Sequence, residues 1–325
     1  MKKNSELSCW ILTEGIAGTE NQCLGLAEAL NLTPVIKRVS LRAPWKWLSP
    51  PLLNGGLSAT TDTSDDLSAP WPDILIASGR KSIAPAIAIK KASQNKTTLI
   101  QIQDPRCHPK HFDLVALPSH DITRGDNVIV TAGSLHRVTH EKCQEAVKDF
   151  PNLAQMPKPH IAVMIGGTSK AHQMTPEITE KLCRDLKKAQ KEIGGTLLIT
   201  ASRRTGDDNA KTLKEAFSNH ENAYLWDGTG NNPYFAYLGL ADYLLVTNDS
   251  VSMTSEAIST GKPVYSIQLE GGGKRLDQFH QNLQDAGYTR IFNGALENFE
   301  YEAPNDVLKV AKSVQKLINK KNSNS

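Results

Sequence analysis

Short apolar runs alternate with amphipathic, helix-like segments along nearly the whole of this 325-residue chain, and this alternation constrains the fold most. Short apolar runs between glycine or polar residues are typical of strands that are buried on both faces. Strands separated by helical segments indicate βαβ units, which build parallel sheets with helices on both sides. The sequence therefore predicts an α/β protein with parallel sheets.

The predicted elements form two successive sets. In the first set, strands are predicted over 9–13, 35–39, 73–77, 98–103 and 114–117, and helices over 21–30 and 82–91. In the second set, strands are predicted over 160–165, 196–201, 223–226, 243–247 and 263–267, and helices over 176–193, 234–240, 250–260 and 306–319. Ligands of such sheets bind beyond the carboxyl ends of the strands, so we expect two Rossmann-like domains facing a central cleft.

A proline-rich stretch over 151–159, Pro-Asn-Leu-Ala-Gln-Met-Pro-Lys-Pro, separates the two sets. Its composition is that of a linker, and domain boundaries fall in such segments. We therefore predict an amino-terminal domain over 1–155 and a carboxyl-terminal domain over 156–325, with the option that the last helix packs back on the first domain.

Charge and cysteine content exclude several classes of protein. The 37 Lys and Arg against 34 Asp and Glu leave a net charge of +3, whereas nucleic-acid binding needs a concentrated basic face. The five cysteines show no CxxC spacing, which predicts reduced thiols and no zinc site. The apolar run after the basic start Met1–Asn4 is shorter than the roughly 7 residues of a secretory h-region, so we expect no signal peptide.

A glycine pair directly follows the predicted strand 160–165, in the segment Gly-Gly-Thr-Ser-Lys. Glycines let backbone N–H groups approach a phosphate closely, and a lysine beside them adds a positive charge. The segment matches neither the P-loop nor GxGxxG, and an ordinary structural turn is the alternative. The candidate phosphate ligands here are Gly166, Gly167, Ser169 and Lys170.

A second candidate segment follows the predicted strand 243–247, where polar residues lead into a helix that begins with hydroxyl side chains. Asp249, Ser250 and Ser252 lie where a helix N-terminus presents donors to a phosphate. Glu256 lies about one and a half turns into the helix, where a carboxylate accepts hydrogen bonds from ribose hydroxyls. An ordinary capped helix with a solvated Glu is the alternative.

Arg203 follows the predicted strand 196–201, at the same end of the sheet as the two segments above. A fixed cation there neutralises a leaving diphosphate, where charge develops during transfer. The sequence has no Asp-x-Asp pair, which argues against metal-bridged binding of a nucleotide sugar. We therefore expect a donor site without a metal ion.

Two carboxylates of the first set are candidate catalytic groups. Glu20 lies in the glycine-containing loop after the strand 9–13, and a carboxylate there can act as a general base for an acceptor hydroxyl. An acidic residue in the first helical turn is the alternative. Asp104, in Gln-Asp-Pro-Arg after another strand, can orient a substrate hydroxyl or close an Asx turn.

Trp45, Lys46 and Trp47 form a short aromatic and basic segment between prolines, with Pro50-Pro51-Leu52-Leu53 following it. Tryptophan beside lysine suits a membrane interface, and a packed loop is the alternative. A peripheral membrane contact is therefore one interpretation of this segment.

Taken together and in order, these motifs resemble the elongated-mitochondria (mitochondrial fission) protein family. The matching residues are Glu14-Gly15, Glu20-Asn21-Gln22, Gln103-Asp104-Pro105-Arg106, His120-Asp121, Ile165-Gly166-Gly167, Ser202-Arg203-Arg204-Thr205, Asn232-Pro233-Tyr234, Asn248-Asp249-Ser250-Val251-Ser252-Met253 and Gly261-Lys262-Pro263. A more distant likeness is to the peptidoglycan N-acetylglucosaminyltransferase, in which a Gly-Gly-Ser loop, a hydroxyl-rich helix start with Glu, and a glutamine-rich segment hold a uridine diphosphate sugar. The glutamine-rich segment here contains Gln278 and Gln281, and the likeness adds Gln278 to the donor-binding candidates.

The resemblance implies a GT-B fold and a metal-independent glycosyltransferase. Its partners would be a nucleotide-diphosphate sugar as donor substrate, with no further cofactor, and a lipid-linked or surface-glycan acceptor. Thr19 stands where many relatives have His, so Glu20 and Asp104 are considered for the catalytic base. The expected location is cytoplasmic, with a peripheral contact at the inner face of the membrane as an option.

Two other functions remain open at this point. One is a non-enzymatic, membrane-associated adaptor on a degenerate GT-B scaffold, which would have lost its donor-site residues. The other is a nucleotide-sugar epimerase on the same fold, which would need several acid and base groups around the sugar. The candidate residues of the glycine loop and Glu256 favour the transferase over the adaptor.

Overall fold

A computed structural model of the chain describes residues 6–50 and 53–323. The start Met1–Asn4, used in the signal-peptide prediction, and Pro51-Leu52 of the tryptophan segment lie outside the described residues. The described residues separate into two compact units. The first unit comprises those up to Arg137 and those from Asn305 onward, and the second comprises Val138–Pro304.

The first unit is built on a six-stranded sheet with the order β2-β1-β3-β4-β5-β6, in which every neighbouring pair is parallel. The strands are β1 (Cys9–Thr13), β2 (Pro34–Arg38), β3 (Ile74–Ser78), β4 (Thr98–Ile102), β5 (Leu114–Pro118) and β6 (Val128–Thr131). The helices between them are α1 (Ala17–Ala29), α2 (Trp45–Leu48) and α3 (Ile83–Ala92).

Alternate residues of each central strand enter the cores on opposite faces of this sheet. On β3, Ile74 and Ile76 pack in the core that contains Leu26 of α1, while Leu75 and Ala77 pack with Ile87 of α3. All five residues of β3 are buried because helices cover both faces. This two-sided burial explains why the strand is a continuous apolar run in the sequence.

The second unit contains another six-stranded parallel sheet, with the order β10-β9-β7-β11-β12-β14, and a small antiparallel pair, β8 with β13. The strands are β7 (His160–Ile165), β8 (His172–Gln173), β9 (Thr196–Ala201), β10 (Ala223–Trp226), β11 (Tyr243–Thr247), β12 (Val264–Ile267), β13 (Glu270–Gly271) and β14 (Thr289–Ile291). The helices are α4 (His140–Lys148), α5 (Pro151–Ala154), α6 (Pro176–Ile193), α7 (Asp207–Phe217), α8 (Tyr234–Leu240), α9 (Val251–Ile258) and α10 (Lys274–Asp285).

This second sheet also separates two apolar cores. Ile161 and Val163 of β7 lie in one core with residues of α6 and α7, whereas Ala162 and Met164 lie in the other with residues of α4, α8, α9 and α10. The sheet is therefore doubly wound, and its loops are left to form a binding edge at the carboxyl ends of the strands.

The last helix, α11 (Asp306–Ser323), belongs to the first unit. Val310 and Val314 are fully buried in the core that also holds α1. The Asp306 carboxylate accepts hydrogen bonds from the backbone N–H groups of Ala132 and Gly133, at 2.9 and 3.1 Å. The chain thus returns to its first unit at its end.

The two units divide after Arg137, which is earlier in the chain than the predicted boundary at 155/156. Helix α4 belongs to the second unit, and its Cys143 is buried in the same core as Tyr237 of α8. The stretch 151–159, interpreted as a linker from its prolines, contains α5, with Leu153 buried. Proline at the first helical position is compatible with a helix, which is why composition misled here.

Candidate functional site

In the second unit, the loops that follow β7, β9 and β11 are hydrogen-bonded to one another at the carboxyl edge of the sheet. β7 lies between β9 and β11, so the ends of the three strands are adjacent. The Gly166-Gly167 pair follows β7, Arg203 and Arg204 follow β9, and Asp249 follows β11. We refer to these three loops as the cradle.

The two glycines of the cradle have no room for a side chain. A Cβ on Gly166 would lie 2.2 Å from Oδ1 of Asp249, and a Cβ on Gly167 would lie 2.1 Å from the carbonyl oxygen of Arg204. Gly167 also has φ +140°, a conformation that other residues rarely adopt. The close approach of the Asp249 side chain and of the Arg204 backbone therefore requires glycine at both positions.

Asp249 holds the cradle together from the inside. Its buried carboxylate accepts hydrogen bonds from the Gly167 N–H at 3.2 Å, the Thr247 hydroxyl at 2.6 Å and the Arg204 guanidinium at 2.6 Å. The Thr247 oxygen in turn accepts the N–H of Gly166 at 2.7 Å. Asp249 was predicted to contact a donor, and every contact it makes among the described residues is internal.

The two neighbouring arginines of the cradle are in different situations. Arg204 is committed to the ion pair with Asp249, whereas the exposed Arg203 has no ion pair or hydrogen bond within the described part of the chain. Lys170, at the turn after the glycine pair, is likewise exposed and has no carboxylate partner among the described residues. Two uncommitted cations thus flank the cradle.

The first turn of α9 presents unbonded backbone donors beside the cradle. The Ser250 hydroxyl accepts the N–H of Met253 at 3.3 Å, so Ser250 is the N-cap. The N–H groups of Val251 and Ser252 have no acceptor in the described residues, as expected at a helix N-terminus. Thr254 directs its hydroxyl back to the Ser250 carbonyl. The free donors of this turn therefore include two backbone N–H groups, in a position suited to an anion.

Glu256 is held by a tyrosine that the sequence interpretation left without a role. The hydroxyl of Tyr234, at the start of α8, donates a hydrogen bond to Oε2 of Glu256. Burial raises the pKa of Glu256 to about 7, although the bond from Tyr234 acts in the opposite direction. Oε1 of Glu256 makes no hydrogen bond to any described residue, so one carboxylate oxygen remains available.

The small β8–β13 sheet joins the glycine loop to α10. The Ser169 hydroxyl accepts the N–H groups of Ala171 and His172 at 3.2 and 3.1 Å, which shapes the turn that carries Lys170. The N–H of Gly272 donates to the Ala171 carbonyl at 2.8 Å, two residues before α10 begins. Ser169 is thus a turn-forming residue here.

Gln278 is not brought into contact with the cradle. It is exposed on α10, and its amide donates to Oδ1 of Asn282 at 2.8 Å. His280, two residues further along α10, is buried, and its Nε2 lies 2.7 Å from the Asn248 carbonyl oxygen, within hydrogen-bonding distance. His172 is also buried, and neither of its ring nitrogens has a hydrogen-bond partner in the described structure. No sequence pattern points to these two histidines, because they are far apart in the chain and follow no metal or catalytic spacing.

A cavity of about 620 Å³ adjoins Arg203 within the second unit. Ser202, Lys214 and the aromatic side chains of Tyr224 and Trp226 are among the residues that line it. This volume lies within the range of about 300–1,000 Å³ that is common for small-molecule sites.

In the first unit, Glu20 is committed to an arginine. Its carboxylate accepts hydrogen bonds from Nε and Nη2 of Arg38 at 3.1 and 3.0 Å, and a longer one from Thr13 at 3.4 Å. The Arg38 guanidinium lowers the pKa of Glu20. A lowered pKa opposes proton uptake, so this contact disfavours the predicted role as general base.

Asp104 closes a turn in a strained loop. Its Oδ1 accepts the N–H of Arg106 at 2.8 Å and the Thr123 hydroxyl at 2.7 Å, while Oδ2 has no partner among the described residues. Gln103 and Arg106 have positive φ values, 71° and 53°, although neither is glycine. Such backbone strain tends to occur at functional sites.

His120 and Asp121 follow β5 at the same edge of this sheet. Nε2 of His120 lies 3.7 Å from Oδ1 of Asp121, and both side chains are almost fully buried. The tryptophan segment forms α2, where Trp45 is half-buried and Trp47 is 67% exposed.

The described residues contain neither a cluster of metal ligands nor a helix that could span a membrane. Over 6–50 and 53–323, no group of three or more His, Cys, Asp and Glu side chains is arranged to hold a metal ion. Within the same residues, the helices are all too short or too polar to span a bilayer.

Solved structures with a similar fold include a UDP-GlcNAc 2-epimerase and a sugar transferase. The UDP-GlcNAc 2-epimerase of Neisseria meningitidis, bound to UDP-GlcNAc, has a TM-score of 0.51 at 12% identity, over 95% of this chain and 100% of its own. The spinosyn forosaminyltransferase SpnP has a TM-score of 0.52 at 13% identity, over 97% and 95%. MurG of Acinetobacter baumannii has a TM-score of 0.51 at 11% identity, over 96% of this chain and 92% of its own. The chain therefore has the GT-B fold, as the sequence predicted.

Sequence comparison defines the family. The family model described as Mitochondrial fission ELM1 matches residues 17–318, and the chain belongs to this family. Mitochondrial fission protein ELM1 of Arabidopsis thaliana is 27% identical, over 95% of this chain and 90% of its own length. Uncharacterized protein RP120 of Rickettsia prowazekii is 28% identical, over 75% of this chain and 79% of its own length. The family resemblance predicted from the motifs is confirmed.

Proposed function

We propose that the second unit binds a nucleotide-diphosphate sugar at the cradle, and that the protein transfers the sugar to a lipid-linked or surface-glycan acceptor. The observation that carries this proposal is the set of uncommitted donors beside the glycine pair. Val251 and Ser252 present N–H groups without acceptors among the described residues, and the buried Gly166 and Gly167 let the neighbouring loops approach closely. A diphosphate fits such a set of donors because it supplies several acceptor oxygens.

Two side-chain cations neutralise the diphosphate in this proposal. Arg203 and Lys170 are exposed and lack partners within the described residues, so binding breaks no existing ion pair. Charge-assisted bonds from Arg to phosphate are short and strong. During transfer, negative charge accumulates on the leaving diphosphate, and fixed cations then lower the barrier.

Glu256 binds the ribose in this proposal. Tyr234 fixes the carboxylate through Oε2, which leaves Oε1 to accept from a ribose hydroxyl.

For the acceptor, Asp104 is the better of the two predicted bases. Glu20 already forms a two-point ion pair with Arg38, and its pKa is lowered. Asp104 keeps Oδ2 without a partner among the described residues and lies in a strained loop. We assign Glu20 a role in positioning the loop after β1, and Asp104 the role of accepting the proton of the acceptor hydroxyl.

Isothermal titration calorimetry with a panel of nucleotides and nucleotide sugars tests the binding step. We expect at least one uridine, guanosine or adenosine diphosphate compound to bind the parent. Arg203→Ala should weaken that affinity by about ten-fold or more, because a charged hydrogen bond contributes about 1.5–3 kcal/mol. Lys188→Ala, which removes an exposed cation on α6, is the matched control and should leave affinity unchanged.

Product analysis separates the three functions considered. Release of the nucleoside diphosphate together with transfer of the sugar to an acceptor supports the transferase. If NMR instead shows conversion of the nucleotide sugar to an epimer, the protein is an epimerase and the transferase proposal is wrong. If no compound in the panel binds, the adaptor becomes the favoured function and the proposal fails.

A further inference from the structure

Helix α2 presents large apolar side chains directly to solvent. Trp47 is 67% exposed and Leu48 is 53% exposed, although they are adjacent in the chain. Trp45, in contrast, is half-buried, with its ring packed against the backbone of Gly55. One tryptophan therefore fixes the helix to the unit, and the other lies on its surface.

The exposed part of α2 is held in place by the loop after β3. The guanidinium of Arg80 donates to the carbonyl oxygens of Lys46 at 3.1 Å and Trp47 at 3.5 Å. The Ser49 hydroxyl donates to the Arg80 carbonyl at 3.0 Å. These reciprocal bonds make the outward position of Trp47 a property of the fold.

Cations surround these apolar side chains. Arg42, Lys46 and Arg80 are all exposed, and within the described residues neither Lys46 nor Arg80 has a carboxylate partner. Asp62 lies 3.7 Å from Arg42 and is itself fully exposed. We call Arg42, Lys46, Trp47, Leu48 and Arg80 the α2 surface. It combines two apolar side chains with a net positive charge.

Two further apolar residues are exposed at the same edge of the sheet. Ile16 is 57% exposed shortly after β1, and Ile122 is 89% exposed shortly after β5. Because all strands of this sheet are parallel, their carboxyl ends share one edge, and the loop after β3 holds α2 at that edge. Exposed apolar residues thus accumulate where the first unit would meet an acceptor.

We propose that the α2 surface binds the headgroup layer of an anionic lipid bilayer. Tryptophan is favoured at the boundary between headgroups and acyl chains, and leucine adds apolar area below it. The cations around them complement acidic lipid headgroups, which attract nearby Lys and Arg. A single short segment of this kind gives weak, reversible binding that is sensitive to salt.

Membrane binding by the α2 surface would bring the first unit to a lipid-linked acceptor, and in that respect it rests on the proposed function. The binding itself requires no nucleotide. A vesicle assay without nucleotide and a nucleotide titration without vesicles can therefore fail independently of each other.

Co-sedimentation with vesicles of phosphatidylcholine, with and without phosphatidylglycerol, tests the proposal. The parent should bind only when phosphatidylglycerol is present, and high salt should reduce the binding. Trp47→Ala with Leu48→Ala should reduce the bound fraction by about ten-fold or more. Lys46→Glu should weaken binding by at least about five-fold, since one cation near an acidic surface is worth about that factor.

Two control variants and thermal melting distinguish a loss of vesicle binding from a general loss of exposed apolar area, charge or stability. Ile291→Ala removes an exposed apolar side chain of similar exposure from β14, and Lys188→Glu reverses an exposed charge on α6; both should bind as the parent does. Thermal melting should be unchanged for Lys46→Glu, which touches no core. Absence of parent binding to acidic vesicles at low salt, or equal binding by the α2 variants, overturns the proposal. Self-association that is lost in the Trp47 and Leu48 variant, without vesicle binding by the parent, overturns it as well.

Discussion

Arg204 and Asp249 form an ion pair in which the carboxylate is completely buried while the guanidinium is about half exposed, with 2.6 Å between Nη2 and Oδ2. The pair connects the loop after β9 with the loop after β11, on either side of the glycine pair. The adjacent Arg203 forms no ion pair with any described residue. The cradle therefore separates an arginine that builds the site from one that is available to a ligand.

We predict that substitution of Arg204 lowers stability, whereas substitution of Arg203 lowers nucleotide affinity. Arg204→Ala leaves the buried Asp249 carboxylate without its cation, which should lower the free energy of unfolding by about 2–3 kcal/mol. Arg203→Ala should change it by less than about 0.5 kcal/mol, as expected for an exposed side chain, and should weaken nucleotide binding instead. Urea denaturation and calorimetry on both variants measure this, and equal loss of stability would contradict the division of roles.

Gly166→Ala should damage the cradle by crowding. The added methyl group would lie 2.2 Å from Oδ1 of Asp249, closer than any real contact. Displacing that buried carboxylate should destabilise the protein by about 1–3 kcal/mol and abolish nucleotide binding. Gly273→Ala is the control, because its nearest neighbour would be a Cβ of Ala171 at 3.9 Å. Thermal melting of the two variants should differ clearly; similar melting temperatures would show that the cradle can move aside.

The raised pKa of Glu256 predicts how stability depends on pH. Its folded pKa is about 7, above the ordinary value of 4.5, so the folded protein binds more protons than the unfolded chain between these values. The resulting stabilisation is complete below about pH 4.5 and is lost as pH rises through about 7. The difference amounts to about 3 kcal/mol as an order of magnitude.

Glu256→Gln isolates this contribution, since glutamine cannot titrate and still accepts the Tyr234 hydroxyl bond. The free energy of unfolding of the parent, relative to this variant, should fall between about pH 5 and pH 8. Nucleotide affinity of the parent should rise over the same range, because the ionised carboxylate is the better acceptor. Parallel stability curves for the two proteins would exclude the proposed titration.

Nucleotide binding should not depend on divalent metal. Backbone N–H groups with Lys170 and Arg203 supply the donors and the positive charge that a diphosphate requires. Affinity measured after extensive treatment with chelator should match affinity in added magnesium within about two-fold. A strict requirement for magnesium or manganese would contradict this assignment.

The sequence predicted the buried strands closely and missed several of the more exposed elements. β7 (His160–Ile165) and β9 (Thr196–Ala201) have the predicted bounds, because strands covered on both faces are continuous apolar runs. The edge strands β6 and β14 were missed, since each is short and partly exposed, with only four and three residues. Helices α4, α7 and α10, which are rich in charged and polar residues, were also missed.

Local features of the candidate site were accessible from sequence, and its long-range contacts were not. A glycine pair after a strand and a capped helix start are patterns within a few residues. The bonds from Arg204 to Asp249 and from Tyr234 to Glu256 depend on which strands become neighbours, and one sequence does not determine that order. For the same reason the ion pair of Glu20 with Arg38 was not predicted, although it disfavours Glu20 as a general base.

Binding of a nucleoside diphosphate group at the cradle is tested most directly by hydrogen–deuterium exchange, which locates the bound ligand along the chain. With a saturating nucleotide sugar that binds by calorimetry, amides over 248–254 and 166–170 should become slower to exchange. The carboxyl edge of the first unit, over 102–108, should not change when acceptor is absent. Protection confined to other segments, with no change at the start of α9 or at the glycine pair, would contradict the account.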